Sequence, residues 1–144
     1  MGTDRMSTDA PELTYWHVWT DGNGVSHQER RAIAEFERQS MGGAAPQWNA
    51  EQTQTPRKAL FSVLPAGWIG DWHENPAPQW IVPLSGRWFV ETMDGMRVEM
   101  GAGEISFGGD QGCVTDACGH KGHRSGTIGN EPAVLMLVQL DDAP

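Results

Sequence analysis

Apolar and polar positions alternate in short runs through the second half of the chain, a period of two that argues for strands. The alternation predicts strands over Lys58 to Leu64, Gln79 to Leu84, Arg87 to Met93, Met96 to Met100 and Glu104 to Phe107. Ala133 to Leu140 is a nearly continuous apolar run, as expected of a strand buried on both faces. Turn formers separate these runs: Pro65-Ala66-Gly67, Ser85-Gly86, Gly101-Ala102-Gly103, and Asp94-Gly95, a favoured two-residue hairpin turn. Nearer the N-terminus, T-Y-W-H-V-W from Thr14 to Trp19 predicts one more strand, closed by Asp21-Gly22-Asn23-Gly24. Ser26 to Arg38 reads differently, because Ser26 with Glu29 looks like a capping box ahead of good helix formers. Local propensity there predicts a helix.

Composition supports the all-β reading. Eighteen glycines and nine prolines in 144 residues suit many short strands joined by tight turns. The length is that of one domain. Residues 1–13 are expected to be a mobile tail, 14–57 an N-terminal strand and arm, and 58–144 the main β domain. The formal charge of −9 would repel a nucleic-acid backbone or an anionic membrane surface, leaving a small molecule or a protein as partner. No run of 18 apolar residues occurs, and Met1 to Met6 lack the apolar stretch of a signal peptide, so a soluble cytoplasmic protein is expected. Cys113 and Cys118 have neither zinc-ribbon nor C-x-x-C spacing and read as ordinary reduced thiols; a disulfide through a sharp loop is the alternative.

The densest signal is the run from Gly67 to Gly86, which reads G-x5-H-x-N-x3-Q-x6-G. Its spacing resembles the first motif of the cupin superfamily, G-x5-H-x-H-x3(or 4)-E-x6-G. His73 stands at the first histidine position, Asn75 at the second and Gln79 at the glutamate. The second cupin motif, G-x5-P-x-G-x2-H-x3-N, fits badly when counted from Gly103: its histidine position falls on Val114, and His123 lies nine residues further on. Asp110 to Gly122 then reads as an inserted loop that still delivers a histidine. The chain looks most like a group of small single-domain cupins with H-x-x-P-A-P-x-Q near the first site, D-x-x-G-x-x-G-H near the second, and D-G-x-G-x-S-H near the N-terminus. His73 to Pro78, Asp116 to His123 and Asp21 to His27 carry those patterns. The resemblance implies a cupin-type double-stranded β-helix, a jelly-roll barrel over residues 58–144, with an N-terminal arm. It implies an extended strand or arm over Ser26 to Arg38, against the local propensity, and both readings stand.

In a strand alternate residues share a face, so His73, Asn75, Gln79, Ile81 and Pro83 have one parity. By the resemblance, His73, Gln79 and His123 are the candidate metal ligands, for a weakly held divalent ion such as Fe, Mn, Zn or Ni. Gln79 and Asn75 offer only neutral oxygens, which do not offset a 2+ charge. Asn75, Ile81, Phe61, Phe89, Phe107, His120 and His27 are candidate pocket residues, and no organic cofactor is indicated. Asp110 and Asp116, the only carboxylates close in sequence to His123, are candidates for orienting it or acting as general base, with loop capping as the plain alternative. Glu74 has the opposite parity and points away. Trp72 and Trp80 also fall on the far side, where an arm or a second subunit would cover them, so a homodimer is expected. Two functions follow: a metal-dependent small-molecule enzyme (isomerase, lyase, hydrolase or oxygenase) with a reduced two-histidine site, or a metal-free ligand-binding or regulatory module.

Overall fold

The computed structural model describes residues 9–144, so the expected tail lies mostly outside the described residues. The chain is all-β, and no helix occurs among the described residues. None is therefore long and apolar enough to cross a membrane. The strands are β1 (Leu13–Thr20), β2 (Ser26–Ile33), β3 (Glu37–Gln39), β4 (Gln47–Asn49), β5 (Pro56–Leu64), β6 (Gln79–Ser85), β7 (Arg87–Thr92), β8 (Arg97–Met100), β9 (Ser106–Gly109), β10 (His123–Ile128) and β11 (Ala133–Leu140). Six form one sheet in the order β2-β1-β9-β6-β11-β5, three form a second in the order β10-β7-β8, and β3 and β4 form a separate hairpin. The expected closed barrel is not what forms. The sheets stay open and pack face to face, with Val18, Ile81 and Leu135 of the large sheet against Trp88, Val90 and Met100 of the small one.

Of the two readings of Ser26 to Arg38, the extended one forms from Ser26 to Ile33. β2 pairs with β1 over its whole length, from Ser26 opposite Thr20 to Ile33 opposite Leu13. Ser26 and Gln28 turn inward and are buried, and the Gln28 amide donates to the carbonyls of Val90 and Met96 across the sandwich. Tertiary pairing outweighs propensity differences of a few tenths of a kcal/mol per residue. Ser26 Oγ caps nothing; it donates to the Gly122 carbonyl at 2.5 Å.

The large sheet has two unlike faces. Its inner face meets the small sheet; on its outer face Tyr15, Phe107 and Leu140 form a second buried cluster with Trp80 and Val138 against it. The Trp80 ring lies 4.9 Å from that of Tyr15 and 4.8 Å from that of Phe107, and the Trp72 ring stacks on His120 at 4.1 Å. Both tryptophans thus find ring partners within the chain while remaining half-buried, and Trp80 lines an apolar groove with Leu13, Ile33 and Val82 on the outer face.

Two histidines outside the site give stability opposite pH slopes. His27 Nε2 lies 2.7 Å from Asp21 Oδ2 and its Nδ1 3.1 Å from Asp94 Oδ2, tying the β1–β2 turn to the β7–β8 turn. The bond to Asp21 chiefly, with Asp94 behind it, raises the His27 pKa above 6.5. That stabilisation is present below pH 6.5 and is lost as pH rises through the raised value. His17, stacked on Phe107 with a buried Nδ1 that has no partner among the described residues, is pushed by burial to about 4. The unfolded chain binds that proton more readily, so His17 costs stability as pH falls from 6.5 toward 4. Thermal unfolding across this range should show His27→Gln removing part of the alkaline loss and His17→Phe removing part of the acid loss. Parallel curves for wild type and both variants would contradict this assignment.

Candidate functional site

The segment from Trp68 to His73 runs beside β10 and continues the small sheet. Gly70 N–H donates to the Ser125 carbonyl, Thr127 N–H to that of Trp68, and His73 and His123 exchange both backbone hydrogen bonds at 2.9 Å. A directly opposed pair of this kind sends both side chains to one side, and the two rings lie 4.7 Å apart. Gly122 makes the approach possible. Its φ is +79°, and a Cβ there would lie 2.3 Å from the His73 carbonyl oxygen. The Gly-His pair at 122–123 is thus a steric requirement of the histidine pairing.

His73 and His123 line a cavity of about 130 Å³ between the sheets, together with Asn75, Gln79 and Ile81. Trp68, Trp88, Leu135 and Leu137 supply apolar walls, and Ser62 and Ser125 also contribute. His73 stands exposed at the mouth, while His123 is buried. Behind His123 is Asp110, fully buried, with Oδ2 2.7 Å from His123 Nδ1. Asp110 Oδ1 accepts the backbone N–H and the side-chain amide of Asn75, both at 2.9 Å. Burial pushes the Asp110 carboxyl up, but the bond from His123, with the two Asn75 donors, outweighs it and holds the pKa below the usual value.

An ionised carboxylate only accepts, which fixes the direction of every bond around it. His123 must carry its hydrogen on Nδ1. Asn75 must give its amide N–H to Asp110, which turns its oxygen to Gln79 Nε2 at 2.6 Å. Gln79 must then present its oxygen to Gln139 Nε2 at 3.2 Å. Asn75 is held against Gly108, where a Cβ would lie 2.3 Å from its Cγ. At the mouth, His73 Nδ1 donates to the Asp71 carbonyl at 2.8 Å. In neutral imidazoles so held, the Nε2 lone pairs are the ones left for the cavity.

This network bears on the expected metal. The Gln79 and Asn75 oxygens each accept one bond from a neighbouring amide, and both Asp110 oxygens accept bonds from His123 and Asn75, so the two histidine nitrogens are the strongest donors facing the cavity. Among the described residues no group of three or more His, Cys, Asp or Glu is placed to hold a metal ion. Gln79 supports Asn75 through its amide N–H, and the donors facing the cavity, chiefly neutral nitrogens and amide oxygens, suit a divalent ion only weakly.

Several expected pocket residues lie elsewhere. Phe107 pairs with Trp80 and so shares its outward face; it is fully buried in the outer cluster. Phe61 is exposed on β5, and Phe89 packs on Gly126 with the Arg97 guanidinium 3.6 Å from its ring centroid, away from the cavity. His27 is held by its two aspartates and His120 by Trp72, both outside the cavity. Asp116 takes the loop-capping role, accepting the backbone N–H groups of Cys118 and His120 at 2.9 Å. Glu74 accepts the Cys113 N–H at 3.0 Å and pins the same loop. Both cysteines are free thiols.

Sequence reasoning missed Gln139, Trp88 and Ser125. Trp88 and Ser125 sit at inward positions of β7 and β10, and only the cross-strand register puts them on the same face as His123, where all three line the cavity. No family model and no curated protein matches the chain. The chemistry of the cavity therefore rests on its own residues: a buried carboxylate behind one histidine, a second histidine at the mouth, and apolar walls around both.

Proposed function

We propose that the chain is a cupin-type small-molecule enzyme that works by acid–base catalysis, with His123 as the base, Asp110 as its positioning residue and His73 as a second proton carrier at the mouth. The observation that carries this reading is the 2.7 Å contact between Asp110 Oδ2 and His123 Nδ1, with the same histidine lining the cavity. A carboxylate on Nδ1 fixes the tautomer that leaves Nε2 free to take a proton, and it stabilises the imidazolium that forms. The motif spacing from Gly67 to Gly86 and the apposition of His73 with His123 support the cupin assignment. The chemistry suited to such a site is removal of a proton beside a carbonyl, as in isomerases and lyases. The C–H proton passes to His123 Nε2, its electron pair moves toward the carbonyl oxygen, and the proton returns to carbon or oxygen.

Exchange in deuterium oxide tests this on simple carbonyl compounds. Proton NMR would follow loss of the carbonyl-adjacent C–H signal of hydroxyacetone, pyruvate and aminoacetone, a neutral, an anionic and a cationic probe. The wild-type protein is expected to accelerate exchange of at least one, and His123→Asn to abolish the acceleration. No acceleration with any of the three would count against an enzyme of this class.

A second reading, a divalent cation held weakly by His73 and His123, is favoured by one feature: the Nδ1 atoms of both rings are committed to acceptors, as is usual for metal-binding histidines. Calorimetric titration with Zn²⁺, repeated with His73→Ala, tests it.

A further inference from the structure

The outer face of the large sheet carries an apolar groove of about 500 Å³, on the other side of β6 and β11 from the histidine cavity. Leu13, Ile33, Trp80, Val82 and Val138 form its floor, and Phe36 and Ala50, which flank the β3–β4 hairpin, border it. One end of the groove is acidic. Ile33, Gln52 and Gln54 are shared with an adjoining hollow that also takes in Glu35 and Glu51, and Glu35, Glu37 and Glu51 line a third beside it. We infer that the groove binds a cationic amphiphile, a small amine with an apolar tail, the tail lying on Trp80 and Val82 and the ammonium among Glu35, Glu37 and Glu51. This inference uses no residue of the acid–base site and stands apart from that reading.

Charge decides the occupant. Glu35, Glu37 and Glu51 are exposed, and none is ion-paired among the described residues. Two arginines lie near in sequence. Arg31 borders the adjoining hollow but is held by Glu29 at 2.7 Å, and Arg38 has the opposite strand parity to Glu37 and Gln39 and lines none of the three hollows. The carboxylates therefore give an unneutralised end to a groove whose body is apolar. A second copy of the chain, in a twofold contact, would bring the same carboxylates and another −9 to this face, and an anionic amphiphile would meet the same repulsion. A neutral apolar molecule would leave the acidic end unused. Volume sets the length of the tail: about 500 Å³ corresponds to roughly seventeen water molecules at their liquid volume, room for a chain of eight carbons. Each methylene moved from water onto the floor adds to the binding, while the carboxylates select the head.

The test is calorimetric titration with octylammonium, octanol and octanoate, which share one tail, and with butylammonium, which shares the head of the first. Octylammonium is expected to bind about tenfold more tightly than octanol, the effect of carboxylates a few ångströms from an ammonium in a water-like medium, and octanoate more weakly than either. Butylammonium should bind about tenfold or more below octylammonium, having fewer methylenes to bury. Glu35→Gln combined with Glu51→Gln, both at exposed positions, should remove most of the advantage of octylammonium and leave octanol unchanged. In ¹⁵N-labelled protein octylammonium should shift the Trp80 indole signal, assigned by its absence in Trp80→Phe or, should that variant not fold, by its contacts to the Tyr15 ring 4.9 Å away. His123→Asn should bind octylammonium as wild type does. The inference is overturned if octanol, octanoate or butylammonium binds as tightly as octylammonium, if the paired glutamine variant binds octylammonium unchanged, or if the Trp80 signal stays unmoved. Loss of binding in His123→Asn would move the ligand to the histidine cavity, and a dimer in sedimentation that Val82→Lys disperses would assign the groove to a second copy; either result overturns it as well.

Discussion

Asp110→Asn is expected to abolish most of the catalysed exchange, about 100-fold or more, while leaving the fold nearly as stable as wild type. The asymmetry comes from the hydrogen bonds that asparagine can keep. It still has an oxygen for the Asn75 backbone and side-chain donors, which now reach Asp110 Oδ1 at 2.9 Å. Its amide nitrogen, in the place of Oδ2, would donate to His123 Nδ1 and force the ring hydrogen onto Nε2. A base with its lone pair turned away from the substrate loses the contribution of general base catalysis, typically 10²–10⁴-fold. Asp110→Ala should behave differently: it strands three buried donors, each worth about 1–3 kcal/mol when left unmatched, and so should lower stability by about 3 kcal/mol or more. Exchange rates and urea unfolding of the two variants check this together. Equal stability of both, or full activity of Asp110→Asn, would count against the dyad.

Gly122→Ala should cost about as much stability by another route. The added Cβ would lie 2.3 Å from the His73 carbonyl oxygen, 2.4 Å from its carbon and 2.5 Å from the Glu74 nitrogen, all backbone atoms. Nothing flexible can move aside. A φ of +79° is unfavourable for alanine in its own right, so strain and overlap together should exceed about 2 kcal/mol. The paired hydrogen bonds between His73 and His123 give way first, which separates the two rings. The expected result is loss of exchange activity together with a lowered unfolding midpoint, whereas Gly119→Ala, where no neighbour lies within 4 Å of the added carbon, should lose only the backbone term. Equal losses at both glycines would show that the close approach at 122 is not what matters.

The alternation of apolar and polar residues makes most of the strands legible, and parity on β6 places Gln79 and Ile81 on one side without reference to any partner strand, whereas His73 and Asn75, across a bend at 76–77, are placed by pairing with His123 and bonding to Asp110. Parity within a strand says nothing of register between strands. Phe107 and Phe61 are expected in the pocket from sequence, yet Phe107 pairs with Trp80, and Phe61 pairs with Met136, itself opposite Val82; both therefore follow the outward face of β6. β10 is hidden because Gly126 and polar residues make it read as loop, and the glycine is there for the Phe89 ring, 2.6 Å from where its Cβ would be. Asp110 is the clearest case. In sequence it is one of two aspartates flanking a glycine-rich loop, and only burial separates the one that holds His123 from Asp116, which caps the loop. Gln79 shows the converse: the motif spacing suggests a ligand, but the charge on Asp110 determines which way its amide points.

The proposed base requires a His123 Nε2 without a hydrogen, held ready by the Asp110 contact at Nδ1, and long-range ¹H–¹⁵N NMR of the imidazole at neutral pH reads that directly. The neutral ring is expected to carry its hydrogen on Nδ1 in the wild-type protein and on Nε2 in Asp110→Asn. A wild-type ring carrying its hydrogen on Nε2, or one unchanged by the substitution, would contradict the proposed base and the site built around it.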